Sequence, residues 1–535
     1  MIERLVIQNF LKFDRLDIKF DSKMNILVGD NDTGKSTIVT ALEMVLTGRY
    51  RGRSLDTELS PHWFTRSAVE AWLADVRSRQ MSAVPSIFIE VYFEDSPTLA
   101  EQRGKNNSRQ LDVPGIRLDI CLDAEFEEEY RSYISDAESV SSIPVEFFRV
   151  DRHDFSGRDI SRSRPVVTAA LIDASTLKLQ SGTDYYLRKS ISEHLTPDAR
   201  AKLSLAFRNH KEELARDPAF VAANESIDLK TTTLGRKSVT LATDASAKSS
   251  WESGLVPHLD SIPFDQIGKG EQSAFKILLA LERDGAGRHV VMVEEPENHL
   301  SHANLSKLVG LIRDHSVQQQ VFITTHSSFV LNKLGIDKLR LLSTHEHATL
   351  DALPAETKNY FLKLAGYDTL RMVLARAVIL VEGPSDELIV QKAYHQVYGR
   401  LPIEDGIDVL SVQSLAFKRF LELGRSLSKK IAVITDLDDD SSDSRSRRRF
   451  EDFEVEELVK GFVGRPMDGR TLEPQLVASA GRDALNNILG QNARTDSELS
   501  AAMANEKTDC ALKIFESEES VTMPGYIEDA IAFVK

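Results

Sequence analysis

Residues 29–36 read Gly29-Asp30-Asn31-Asp32-Thr33-Gly34-Lys35-Ser36, a glycine-spaced loop closing on Lys-Ser. A turn of this spacing points several backbone N–H groups at one anion, and the positive end of the helix that follows adds to the field. In this pattern Lys35 reaches the outer phosphates of a nucleotide and the Ser36 hydroxyl ligates Mg²⁺, with Asn31, Gly34 and Thr37 completing the cradle. A second set lies far downstream and is purely acidic: Glu382-Gly383, Asp386, and Asp436-Leu437-Asp438. Hard carboxylate oxygens gathered in one place suit Mg²⁺ or Mn²⁺. A pair of such ions can clamp both the attacking and the leaving oxygen of a phosphodiester.

Chemistry of either kind needs elements that carry these residues to one place. Met24–Val28 is a short apolar run stopped by Gly29, consistent with a buried strand, and Lys35–Leu46 reads as a helix ending before Gly48. Strand, glycine turn and helix are the setting a phosphate loop requires. Leu5–Ile7, Leu16–Phe20, Ile87–Phe93, Ile116–Leu122 and Val145–Val150 read as further strands. From about Thr183 to Phe220 the chain turns charged with helical spacing (Tyr186, Leu187, Ile191, Leu195, Leu203, Phe207, Leu214), an arm suited to pairing between subunits or to packing on its own domain. Beyond a polar connector, strands at Ala377–Val381, Ile407–Val412 and Ile431–Thr435 alternate with helices near 386–398 and 415–427, which predicts a parallel sheet. Glu382 and Asp436 then sit at the carboxyl ends of two such strands, the edge where open α/β sheets bind ligands.

Three more segments attend the phosphate loop. His289–Val293 is a buried-strand pattern that ends in Glu294 and Glu295, so it can bring one carboxylate to Mg²⁺ and the other to an attacking water, although strands often end in acidic loops. Gly268-Lys269-Gly270-Glu271-Gln272-Ser273 opens a helix with Ala274, Ile277, Leu278 and Leu281 on one face. Val321–Thr325 is a strand pattern ending at His326, where an imidazole can meet a γ-phosphate. In this order the set resembles the ATP-binding-cassette ATPases, above all their SMC/RecF-like branch. The resemblance makes Lys35 part of Walker A, Gly268 and Gly270 part of the signature motif, Glu294 and Glu295 Walker B, and His326 the switch. It implies ATP as cofactor and at least a dimer, because in that family the signature helix completes the partner's site. Two departures stand out: Gly-Lys-Gly-Glu-Gln replaces the usual Ser-Gly-Gly pattern, and Glu294 replaces the usual metal-side Asp.

The acidic set, Glu-Gly after one strand and Asp-x-Asp after another some fifty residues on, resembles a Toprim domain. With Thr471-Leu472-Glu473, Lys507 and Pro524-Gly525-Tyr526-Ile527 added, the whole chain resembles the OLD (overcoming lysogenization defect) nucleases, in which an ABC ATPase bearing a helical dimerisation insertion is fused to a Toprim domain. The resemblance implies an α/β protein divided as ATPase (1–165), helical insertion (166–236), ATPase (237–345), connector (346–375) and Toprim domain (376–535). It implies metal ligation by Glu382, Asp386, Asp436, Asp438 and Glu473, with Ser36 serving the nucleotide's ion. Catalysis would fall to Glu382, Asp436, Asp438, Lys507 and, for ATP, Glu295; Lys513 competes with Lys507 for its role. It implies double-stranded DNA as substrate, a homodimer or homotetramer, a role in bacterial defence against phage, and, as in the Gabija-type systems, a UvrD-like helicase as an optional partner.

Bulk properties agree with a multidomain protein of the cytoplasm. The 535 residues suggest three or four domains, 41% are hydrophobic, and no apolar stretch approaches a membrane span. Met1-Ile2-Glu3-Arg4 enters a strand pattern with no signal-like segment before it. Cys121 and Cys510 are the two cysteines, which excludes a disulfide framework. The formal charge of −16 argues against a globally basic nucleic-acid coat but leaves room for local patches such as Arg445 and Arg447–Arg449, a run equally readable as a solvated loop. Two other readings are a Toprim strand-passage or primase enzyme, and an SMC-like clamp with a vestigial acidic site. The first lacks a recognisable host for a tyrosine nucleophile, and the second lacks heptad arms.

Overall fold

The computed structural model describes the chain apart from residues 80–83, 139, 161–166, 174–194, 227–240, 245–250, 252–257, 265, 283–287, 317–318, 343–346, 351–352, 364–367, 413–415, 438–452 and 456. Strands β1 (Ile2–Phe10) and β2 (Phe13–Lys19) form a hairpin, and β3 (Met24–Val28) runs into the phosphate loop and helix α1 (Lys35–Thr47). There follow β4 (Ile87–Phe93), β5 (Val113–Leu122), β6 (Phe148–Asp154), β7 (Val167–Asp173) and helix α2 (Pro197–Arg216). Next come α3 (Lys269–Leu281), β8 (Arg288–Glu294), α4 (His302–His315), β9 (Gln320–Thr324), α5 (Ser328–Leu334) and β10 (Leu339–Leu342). The last third holds α6 (Asp368–Leu374), β11 (Ala377–Val381), α7 (Pro384–Tyr398), β12 (Ile407–Ser411), α8 (Phe417–Ser426), β13 (Lys430–Thr435), β14 (Val459–Val463), α9 (Leu472–Ala480), α10 (Lys507–Glu516) and α11 (Gly525–Val534).

Two compact units emerge: Met1–Met24 with Ser36–Thr324, and Asn25–Lys35 with Thr325–Lys535. In the first, β2, β1, β4 and β5 lie side by side in an antiparallel sheet with β6 pairing β5. Its second sheet is parallel: β7 pairs β8 and β8 pairs β9. Val290–Val293 and Val321–Ile323 are almost wholly buried, as continuous apolar strands in a parallel sheet covered on both faces should be.

Two sequence expectations need correction here. Val145–Phe147 is a single 3₁₀ turn, and the strand begins only at Phe148, since Pro144 ahead of it has no N–H for a ladder. The stretch 166–236, expected to be helical, opens instead as β7, whose Ala169–Ile172 are buried in register with β8. Helix begins, among the described residues, at Pro197, with Thr196 accepting from the Ala199 N–H and proline in the first turn, a start signal that pattern reading can find. No residue of α2 is buried, and Leu205 and Leu214 are 60% and 46% exposed. Tyr186, Leu187 and Ile191 lie outside the described residues.

In the second unit β10 runs parallel to β3, which carries the phosphate loop. The rest is a four-stranded parallel sheet in the order β12-β11-β13-β14. All five residues of β11 are buried, and α7, α10 and α11 pack with it into one core that includes Ile379, Val381, Ile389, Val390, Ile434, Ile514, Ile527 and Ile531. Each such side chain contributes roughly 1.5–3 kcal/mol by leaving water. That core fixes the carboxyl edge of the sheet, where the acidic residues stand.

Candidate active site and nucleotide loop

At the carboxyl edge of the parallel sheet, β11 ends in Glu382 and its neighbour β13 ends in Thr435 and Asp436. The Thr435 hydroxyl donates to the Glu382 carboxylate, so the two strand ends are tied together at the site. Helix α7 starts immediately after Gly383, and Asp386 Oδ2 accepts from the Gly383 N–H at 3.0 Å. The Gly383 backbone is extended (φ −149°), a geometry open to any residue. Glu473, second residue of α9, is 4% exposed; it accepts from Thr471 Oγ1 at 2.6 Å and pairs with Lys507 Nζ at 3.2 Å. Of the two competing lysines, Lys507 is the one paired with Glu473, while Lys513 donates to the Leu489 carbonyl at 3.4 Å. Asp438 and the Arg445–Arg449 run fall outside the described residues.

These groups feel one another. Burial raises the Asp386 carboxyl to about 6, the Glu382 and Glu473 charges push the same way, and the Gly383 N–H and Lys507 oppose them. Asp436 rises to about 7, first through burial and then through Asp386, Glu382 and Glu473. Lys507 is held up by Glu473, Asp436 and Asp386 against the burial that would lower it. Among the described residues no three carboxylate, His or Cys side chains converge in a ligand arrangement. Glu382, Asp386 and Glu473 are each turned to a protein donor, as closely packed like charges favour. The donor chemistry nevertheless fits a hard divalent cation: oxygen ligands on a sheet edge, with their charged forms disfavoured until a positive charge joins them.

A pH dependence follows. Asp386 and Asp436 have folded-state values above their ordinary ones, so the folded state binds the extra protons. The associated stability is present at low pH and lost as pH rises through about 6 to 7. In cation-free buffer the melting temperature should fall between about pH 5 and pH 8 more steeply for the natural chain than for Asp436→Asn, and millimolar Mg²⁺ should raise it more at the upper end. Parallel melting curves for the two proteins would contradict this.

In the phosphate loop Gly34 is left-handed (φ +95°), and a Cβ on Gly29 would meet the Leu342 carbonyl and Thr33 Oγ1 at 2.5 Å; each glycine is needed, for different reasons. Lys35, 7% exposed, donates to the Gly29 and Asp30 carbonyls at 2.8 and 2.9 Å, while Asn31 is exposed and Thr37 buried. His326 is exposed just beyond Thr325, whose N–H donates to Leu27 O at the end of β3.

In the first unit Glu294 closes β8. Burial raises it to about 7; a hydrogen bond from Ser36 holds it down, Asp173 raises it, and Arg51 lowers it. The longer Glu side chain thus engages Ser36 directly. Glu295 sits at φ +47°, sparsely populated backbone for a non-glycine residue and a mark of sites held by their surroundings. Its N–H donates to the Thr324 carbonyl at 2.9 Å and its Oε2 accepts from Asn298 at 2.7 Å. Gly268 caps α3 with open space around it, whereas a Cβ on Gly270 would strike the His299 carbonyl at 2.3 Å.

Pattern reading passed over two residues. Arg51 projects from a turn fixed by buried Glu43, whose carboxylate accepts from the Arg51 and Gly52 N–H groups at 3.0 and 3.2 Å, and its charge acts on Glu294. The Arg49, Arg51 and Arg53 triplet around Gly52 was the available signal. Tyr526, noted only as part of a tail motif, is held well above the usual phenol range by burial and by Asp386, Asp436 and Glu473.

The fold and its two sites define a protein that joins an ATPase of the AAA class to a Toprim domain. Family comparison agrees: AAA-domain descriptions match residues 4–215 and, as "AAA domain, putative AbiEii toxin, Type IV TA system", residues 125–332, and the "Overcoming lysogenization defect protein-like, TOPRIM domain" matches residues 373–438. On these matches the chain is similar to the OLD family in its Toprim part, residues 373–438. Among curated proteins it is similar to Endonuclease GajA of Bacillus cereus (strain VD045), 21% identical over 442 residues that cover 78% of this chain and 71% of that one. It is also similar to the DNA replication and repair protein RecF of Mannheimia succiniciproducens, 26% identical over 116 residues covering 21% of this chain and 30% of that protein. Among solved structures, the C-terminal region of the Xanthomonas campestris pv. campestris OLD protein matches at 22% identity over 31% of this chain and 94% of that one, TM-score 0.24. The SMC head domain from Thermotoga maritima matches at 13% identity over 64% and 94%, TM-score 0.28. Among the described residues no helix is long and apolar enough to cross a membrane.

Proposed function

We propose that this chain is a divalent-metal-dependent DNA endonuclease whose cutting responds to ATP bound at its phosphate loop. One observation carries the reading: Glu382 and Asp436 follow neighbouring strands of one parallel sheet and are tied through Thr435, with Asp386 at the helix start beside Glu382 and Glu473 paired to Lys507. The likeness to an endonuclease and to a DNA repair protein supports the substrate class.

Glu382, Asp386, Asp436, Asp438 and Glu473 would hold Mg²⁺ or Mn²⁺, which supplies a nucleophilic water and offsets charge on the leaving oxygen. Lys507 is positioned to counter phosphate charge beside them. Tyr526 keeps its proton and can donate a hydrogen bond. The Asp386 helix cap and the Thr435–Glu382 contact hold the carboxylates in place between turnovers. At the other site Asn31, Gly34, Lys35, Ser36 and Thr37 would cradle ATP, with Glu294 beside the metal ligand Ser36, Glu295 orienting water and His326 at the γ-phosphate. Gly268 and Gly270 would complete a second copy's site. The unburied face of α2 suits a homodimer or homotetramer. Action in the cytoplasm, in defence against phage and beside a UvrD-like helicase belongs to this proposal by resemblance.

Supercoiled plasmid incubated with the chain and Mg²⁺ or Mn²⁺ should give nicked and linear products. Relaxed closed circles would mean strand passage instead, and intact plasmid under every ATP condition would defeat the proposal. Glu295→Gln should bind ATP yet turn it over at least ~100-fold more slowly, since positioned proton acceptors contribute about 10²–10⁴-fold; wild-type phosphate release from that variant would remove Glu295 from this role.

A further inference from the structure

Short helix α6 is bonded on one side to α5, which follows the switch segment, and on the other to β12 and to the first turn of α7, which carries Asp386. Directly after His326, Ser327 caps α5, its Oγ accepting from the Val330 N–H at 3.4 Å. Fully buried Asn332 on α5 donates to Thr369 Oγ1 on α6 at 3.2 Å, and Thr369 is itself 2% exposed. Two residues further, Arg371 forks onto Asp408 of β12, Nε to Oδ2 at 3.0 Å and Nη2 to Oδ1 at 2.6 Å. The same Nη2 reaches the Val409 carbonyl at 3.0 Å and Glu387 Oε1 at 3.4 Å. Glu387 is the neighbour of Asp386 in the first turn of α7. Met372 of α6 packs so closely on Gly424 that a Cβ there would meet its Cε at 2.7 Å. Just past α6 the Ala375 carbonyl accepts from Lys429, whose charge burial disfavours and Asp30 of the phosphate loop favours.

A planar guanidinium fork with two carboxylates and a carbonyl in its grip has few alternative poses. A shift of α6 therefore moves the first turn of α7, and with it the aim of Asp386. Packed, hydrogen-bonded chains of this kind can carry coupling when both ends bias one element. We propose that Arg371 is a positioning residue for the carboxylate site, and that α6 carries the state of the phosphate-loop and switch segments to Asp386 through it. This rests on the nuclease reading above only for its enzymatic readout, because cation binding reports on it independently.

The test uses the full chain, natural and as Arg371→Gln, Arg371→Lys and Thr369→Val. Mn²⁺ binding is followed by electron paramagnetic resonance with and without ATP, plasmid cleavage is followed as a function of Mn²⁺, and phosphate release serves as the control. Groups that orient ligands typically govern metal affinity or activity by about 10–100-fold. Arg371→Gln should raise the Mn²⁺ concentration for half-maximal binding and cleavage roughly 10-fold, with cleavage at saturating Mn²⁺ retained and ATP turnover unchanged. Arg371→Lys, which keeps the charge but loses the fork, should do nearly the same. Thr369→Val should leave Mn²⁺ binding without ATP as it was and abolish the change ATP brings. Natural-chain Mn²⁺ affinity in Arg371→Gln, or an intact ATP response in Thr369→Val, would overturn the proposal, as would Mn²⁺ binding in the natural chain that ignores ATP. Absence of plasmid cleavage by the natural chain, with these Mn²⁺ shifts intact, would defeat the nuclease reading and leave Arg371 in its place.

Discussion

Asp436→Ala will lower metal-dependent plasmid cleavage by at least about 1,000-fold, equivalent to roughly 4 kcal/mol of lost transition-state stabilisation. The expectation follows from what the site is made of. Phosphodiester hydrolysis leaves little covalent work to side chains, so cations must provide most of the charge stabilisation, and burial, together with the charges of Asp386, Glu382 and Glu473, raises Asp436 to about 7. The same loading separates loss of chemistry from loss of fold. Removing a half-buried carboxylate that Asp386, Glu382 and Glu473 repel leaves the cation-free protein no less stable, so the variant should melt at or above the natural chain's temperature near pH 8. Unchanged cleavage would take Asp436 out of the catalytic set; lost cleavage with a collapsed melting curve would assign it to the fold.

Lys35→Ala will cut ATP turnover by about 100-fold or more, because an ammonium placed on the outer phosphates stabilises charge that grows in the transition state. Lys35 now donates to the carbonyls of Gly29 and Asp30, so nucleotide must draw it outward from its own loop. Hydrogen bonds to a charged group contribute roughly 1.5–3 kcal/mol, which makes the lysine a local brace as well as a ligand. The variant should lose both phosphate release and the rise in melting temperature that ATP gives the natural chain. It should also lose any effect of ATP on cleavage. Turnover at the natural rate would mean that this loop does not serve hydrolysis.

How far the sequence alone reaches differs between the two sites. The strand Met24–Val28, the loop and the helix from Lys35 were readable because an apolar run, two glycines and Lys-Ser occur within one local stretch. The same holds for Ala377–Val381, the helix ending at Gly399, and Glu382 and Asp436 at two strand ends. What remained hidden depends on the third dimension. The carboxylates act on Tyr526 only because α11 packs against β11 and β13, and Arg51 acts on Glu294 only because Glu43 bends its turn. The choice between Lys507 and Lys513 needed the orientation of α10. At Gly383 an extended backbone presents an N–H to Asp386, which depends on where the helix start lies and not on the residue being glycine. The strand Val167–Asp173 was hidden because a small-residue run such as Thr168-Ala169-Ala170 suits helix and parallel strand alike, and pairing with β8 decides it.

Binding of Mn²⁺ to the nucleotide-free chain, followed by electron paramagnetic resonance at about pH 7.5, tests the central idea most directly: that carboxylates from β11, β13 and α9 act together as a cation site. The natural chain is expected to bind Mn²⁺ at least ~10-fold more tightly than Glu382→Ala/Asp436→Ala. Superimposable isotherms for the two proteins would contradict the site and the nuclease reading built on it.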